Sequence, residues 1–185
     1  MNATFLASLA LAVVGGLTFT LAQQEAPTTP KADPARQFDF WVGSWECYGR
    51  NGQLSGTNEV TLGYGGRVLQ EHWQGSSGGG GTSLNMYSAA HGVWHQTWCD
   101  DSGMLLRLDG GLTEKGVMRL EGKMPIRGGG EALHRVEWTP KGETVQQTWT
   151  TTADEGKTWK TLADLEYRPV QQSKTAVEPE AEGDQ

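Results

Sequence analysis

The chain has 185 residues, with 15 Lys and Arg against 22 Asp and Glu, a formal net charge of −7, 26 glycines and two cysteines. An acidic balance without a basic stripe excludes nucleic acid and anionic membrane surfaces as natural partners. Length alone allows one domain of ordinary size with its own core, flanked by short extensions.

Residues 1–22, "MNATFLASLALAVVGGLTFTLA", carry no charged side chain and end on the small residue Ala22, the pattern of a signal peptide. The apolar run approaches the length of a membrane span, so an uncleaved anchor is the alternative. No cysteine follows it, which removes lipoprotein processing. The expected destination is periplasmic or secreted, with no membrane contact in the mature form. Residues 23–37, "QQEAPTTPKADPARQ", mix Pro, Ala and charge without apolar periodicity and read as a disordered linker. Residues 170–185 read as a disordered acidic tail, in which four acids against Lys174 account for −3 of the net charge.

Between them, 38–169 breaks into short runs of Val, Leu, Thr, Trp and Tyr separated by Gly, Asp and Ser. Strands are predicted near 42–49, 56–64, 67–75, 82–88, 93–99, 103–110, 116–123, 131–139, 143–152 and 158–168. Turns such as "YGGR", "DDSG" and "TEKG" are too short for parallel crossovers, so neighbours are antiparallel. About ten hairpin-linked strands must hide their edges, and an up-and-down barrel does so most simply. A two-sheet sandwich is the runner-up.

Alternation assigns faces. Trp94, Gln96 and Trp98 share one face, as do Leu69, Glu71 and Trp73; His134, Val136 and Trp138; and Val145, Gln147 and Trp149. With the Trp face inward, the interior is tryptophan interleaved with Glu71, Gln96, His134 and Gln147. Two readings stay open: buried polar groups that satisfy one another, or a cavity whose indoles and few polar groups hold a small molecule.

Other constellations carry less. His91, His95 and Cys99 stand four apart, which on a strand of ~3.3 Å per residue means about 13 Å between neighbours, too far for one metal ion. Cys47 and Cys99 invite a disulfide in an exported chain. Their faces oppose it: Cys47 goes with Trp45, Cys99 lies opposite Trp98, and first and fifth strands of a meander are not neighbours. "TADEGKTW", 152–159, resembles the Asp box of sialidases, a hairpin in which Asp154 accepts turn N–H groups, Gly156 takes positive φ and Trp159 packs beneath. "QGSSGGGGTS", 74–83, lacks the Lys and the following helix of a phosphate loop and reads as a flexible hairpin at the barrel mouth.

"FDFWVGSWEC", "LNMYSAAHGVWHQTWCDDSG" and "LLRLDGGL" together resemble an uncharacterised, often exported, bacterial lipocalin-like family that opens on FDFWxGxW and carries Y-x(6)-W-x(3)-W in its middle. The resemblance covers roughly 38–168 and implies a calycin-type barrel. Gly43-Ser44-Trp45 looks like the lipocalin G-x-W, whose Trp closes the barrel base. On that reading Phe38, Phe40 and Trp41 plug one end. A distantly similar barrel, nitrobindin, opens on G-x-W-x-G-x-G and binds haem; here Cys47 stands at the fifth position, and His134 is the best-placed ligand for such a group.

The expected function is therefore an exported barrel binding a small, partly polar or aromatic molecule through Glu71, Trp73, Trp94, Gln96, Trp98, His134, Gln147 and Trp149, without a cofactor or metal. The alternatives are a haem protein held by His134, a hydrolase or isomerase using Glu71 with His134, and a structural envelope protein.

Overall fold

A computed structural model describes residues 33–171. The predicted signal peptide and nearly all of the acidic tail lie outside the described residues. Ten strands follow in order: β1 (Gly43–Gly49), β2 (Leu54–Gly63), β3 (Val68–Gly75), β4 (Gly80–Ser88), β5 (Val93–Asp100), β6 (Leu105–Leu112), β7 (Met118–Pro125), β8 (Glu131–Lys141), β9 (Thr144–Thr152) and β10 (Lys160–Pro169). Each pairs antiparallel with the next, and β1 returns to β10 with Cys47 opposite Tyr167. The sheet is a closed up-and-down barrel with no free edge, and the sandwich alternative falls away.

Boundaries depart from expectation by a residue or two, with one informative case. β4 begins at Gly80, inside the glycine run predicted as loop, because Gly80 and Gly81 pair with Gln74 and Trp73 of β3. A side chain at Gly81 would put its Cβ 2.3 Å from the indole of Trp98, so only glycine lets β4 continue past that ring.

The meander places the start of β1 and the β2–β3, β4–β5, β6–β7 and β8–β9 turns at one end. There residues 33–42 fold across the opening in two 3₁₀ turns, Pro34–Arg36 and Asp39–Trp41. The last residues of the predicted linker are thus part of the folded body: Asp33 caps the first turn through Ala35 N–H at 2.9 Å, Ala35 is buried, and Arg36 donates to Gly66 O at 3.1 Å. Phe38 and Trp41 are fully buried and stacked at 4.9 Å. Phe38 also meets Trp94 edge-on at 5.6 Å and Trp138 at 5.1 Å, while Trp41 reaches Tyr167 at 6.5 Å. Trp45 donates its indole N–H to Trp41 O at 3.0 Å and Trp94 donates to Pro34 O at 3.2 Å, so the plug is pinned as well as packed. Each such ring contributes ~1.5–3 kcal/mol by burial, with a further ~1 kcal/mol for each well-oriented aromatic pair.

Candidate functional site

The opposite end is open. Trp73 lies near the end of β3 and Trp98 near the end of β5, while Leu106 is the second residue of β6 and Ala163 lies early in β10. An antiparallel meander brings all of these to the same mouth. With Trp149, Val136 and Leu165 they wall a cavity of about 190 Å³, floored by Glu71, Gln96 and Tyr167. Trp73 and Trp98 reach this position by lying over glycines of adjacent strands: a Cβ at Gly56 would meet the Trp73 ring at 2.7 Å, as one at Gly81 would meet Trp98. Unlike the plug rings, these three indoles are only half-buried.

Six of the eight predicted site residues therefore come together: Glu71, Trp73, Gln96, Trp98, Gln147 and Trp149. Two do not. Trp94 points inward as its parity requires, but it is the second residue of β5 and belongs to the plug, against Phe38 and Tyr87. His134 is buried and inward, yet its Nδ1 accepts the Trp149 indole N–H at 3.0 Å and it does not line the cavity. Accepting at Nδ1 puts the proton of the neutral ring on Nε2, and burial holds the imidazole pKa below its ordinary value.

The floor is polar and hydrogen-bonded. Glu71, 3 % exposed, accepts from Asn58 Nδ2 at 2.8 Å on one oxygen and from Ser83 Oγ at 2.5 Å on the other. Asn58 Nδ2 also donates to the Tyr167 hydroxyl at 3.2 Å. Asn85 donates to Ser83 Oγ at 2.8 Å, and Gln96 donates to Asn85 Oδ1 at 2.8 Å. Desolvation outweighs the Ser83 and Asn58 hydrogen bonds and lifts the Glu71 carboxyl to about 7. Beneath it, burial, aided by the nearby Glu71 charge, raises the Cys47 thiol well above its usual range, and Tyr167 is raised likewise. Asn58 Oδ1 has no donor among the described residues, leaving a second buried acceptor beside the carboxyl.

Sequence reasoning missed Asn58, Ser83, Asn85 and Tyr167. Tyr167 was within reach, because Ala163, Leu165 and Tyr167 alternate along β10 and all face in. β4 carries the opposite signal: Leu84 and Met86 are 52 % and 43 % exposed, while Ser83 and Asn85 are buried.

Glu71 and His134 are not joined: the carboxyl is held by Asn58 and Ser83, the imidazole by Trp149. A haem would need an imidazole facing a wide apolar slot, and His134 faces an indole instead. The two cysteines are free, Cys47 buried and Cys99 exposed. His95 bonds Asp109 at 2.7 Å and Thr97 at 2.8 Å on the outer wall, whereas His91 meets Ser88 at 2.8 Å in a turn. No group of three metal-ligating side chains occurs among the described residues. The Asp-box hairpin forms as expected: Asp154 accepts from Thr158 N at 2.9 Å, Gly156 has φ 87°, and Trp159 carries the Arg135 guanidinium 4.1 Å above its ring. A wider outer groove near Tyr48 and Gln146 is lined by Lys141 and by two ion pairs, Arg50 with Asp164 and Arg168 with Glu166.

Comparison with known proteins leaves the reading to this geometry, since no protein-family model matches the chain and no curated protein matches it.

Proposed function

We propose that this chain is an exported, lipocalin-like binding protein that holds one small, partly aromatic molecule in the open half of its barrel. The observation that carries the reading is the division of the interior: one end filled by stacked rings, the other left as a Trp73–Trp98–Trp149 cavity of about 190 Å³ with hydrogen-bonding groups at its floor. Apolar walls with a few convergent polar groups are the usual make-up of a small-molecule site. A cavity of about 150 Å³ holds benzene, so the occupant is a single ring with a short substituent rather than a lipid or a tetrapyrrole.

Native mass spectrometry of the protein purified from its own host tests this. A retained mass of small-molecule size, lost in a variant that fills the mouth such as Ala163→Trp, supports the reading. Absence of any adduct, together with unchanged tryptophan emission across a mixed set of charged and neutral fragments, contradicts it. The same spectrum reads the export expectation, because a mature mass starting after Ala22 is the cleaved form.

A further inference from the structure

The described residues contain eight ion pairs, all with at least one partially exposed member, and Glu71 is in none of them. Its neighbours come from every strand packed around it: Cys47 of β1, Asn58 of β2, Ser83 of β4, Gln96 of β5 and Tyr167 of β10. None of these is cationic at any ordinary pH, and Cys47 and Tyr167 can only add negative charge. The inward imidazole, His134, is engaged by Trp149. Glu71 is thus a buried acid with two neutral donors and, among the described residues, no counter-ion, facing a cavity.

A carboxylate offers about four acceptor positions, and Asn58 and Ser83 use one on each oxygen. Three indoles stand around the space in front of it, and an indole face attracts a cation within about 6 Å. An anionic occupant would meet the carboxylate unscreened. A neutral one would draw nothing from the carboxyl's charge, whose burial the protein already relieves by favouring the protonated form.

We propose, resting on the reading of the open end as a ligand site, that the occupant is an organic cation: a protonated amine of arylalkylamine size, its ammonium against Glu71 and its body among Trp73, Trp98 and Trp149. The ammonium completes the floor by supplying the charge and the N–H donors that the protein withholds. Ionisation then couples to binding. In the free protein the carboxyl titrates near 7, so below that pH an amine must first displace a proton, and affinity falls about tenfold per unit.

The test is calorimetric titration of the full chain with 2-phenylethylamine and with its neutral isostere 2-phenylethanol at pH 8. Both are run against wild type and Glu71→Gln, with folding of the variant checked by circular dichroism. The amine is expected to bind at least tenfold more tightly than the alcohol. Glu71→Gln is expected to weaken the amine by roughly 30-fold or more, as loss of one partner of a buried charge pair does, and to leave the alcohol within about threefold. Equal binding of amine and alcohol, or an amine affinity indifferent to Glu71→Gln and to pH between 5.5 and 8, overturns the cation assignment while leaving a ligand site in place. No binding of the amine overturns it as well. The broader reading fails separately, when no fragment of either charge type binds; the wild-type comparison decides the matter even if the variant does not fold.

Discussion

Both ends of the barrel are built with tryptophan, and they use it in opposite ways. At the closed end Phe38, Trp41, Trp94 and Trp138 touch one another at 4.9 to 5.6 Å and are fully buried or nearly so. At the open end Trp73, Trp98 and Trp149 are half-buried, and the one ring any of them meets among the described residues is His134, 5.7 Å from Trp149. The same side chain is mortar where its neighbours are rings, and wall where, as with Trp73 and Trp98, it lies over a glycine of the adjacent strand. The polarity beneath follows the same division: the plug rests on aromatic contact, the cavity on a carboxyl.

The largest break in that comparison comes from the closed end. Trp41→Ala should cost roughly 3–5 kcal/mol in urea unfolding, whereas Trp98→Ala, which empties a half-exposed position, should cost about 1–2 kcal/mol. Equal costs would erase the distinction between plug and wall. Next is Glu71. Its folded pKa of about 7 lies above the ordinary glutamate value of 4.5. Between those values the unfolded chain releases a proton that the folded one keeps, so the apo protein loses stability as pH rises from about 4.5 to 7. Glu71→Gln should flatten that part of the profile and stabilise the apo protein by roughly 1–3 kcal/mol at pH 8; a profile unchanged by the substitution contradicts a buried, uncompensated acid.

Gly81→Ala should cost about 1–3 kcal/mol by forcing the Trp98 ring aside and shift its emission, while Gly52→Ala, on a turn with open space around it, leaves that emission alone. The smallest effect is chemical: a thiol reagent should modify Cys99 quickly in the native protein and Cys47 only on unfolding, since one faces out and the other in. Two fast thiols would mean that β1 does not hold its inward face.

The architecture was legible because period-two alternation and short turns are local signals. Strands, antiparallel pairing, closure and the inward parity of Glu71, Trp73, Gln96, Trp98, Gln147 and Trp149 all follow from them. Depth along a strand is not local. Trp94 and Trp98 share a face and lie about 13 Å apart along the strand, and nothing in "VWHQTWC" says that residues 34–41 will fold back over the first of them. β4 keeps the alternation and inverts its polarity: Leu84 and Met86 face out because Ser83 and Asn85 are needed inside, beside Glu71 and Gln96. That requirement comes from strands β3 and β5, and no reading of "TSLNMY" alone contains it.

The most direct test places the ligand at one end. Indole N–H resonances of the full chain, assigned by single Trp→Phe variants, are followed while 2-phenylethylamine is added at pH 8. Trp73, Trp98 and Trp149 are expected to move together and saturate at one affinity, while Trp41, Trp94 and Trp138 stay fixed. Shifts at the closed-end indoles with the open-end three unmoved would contradict it.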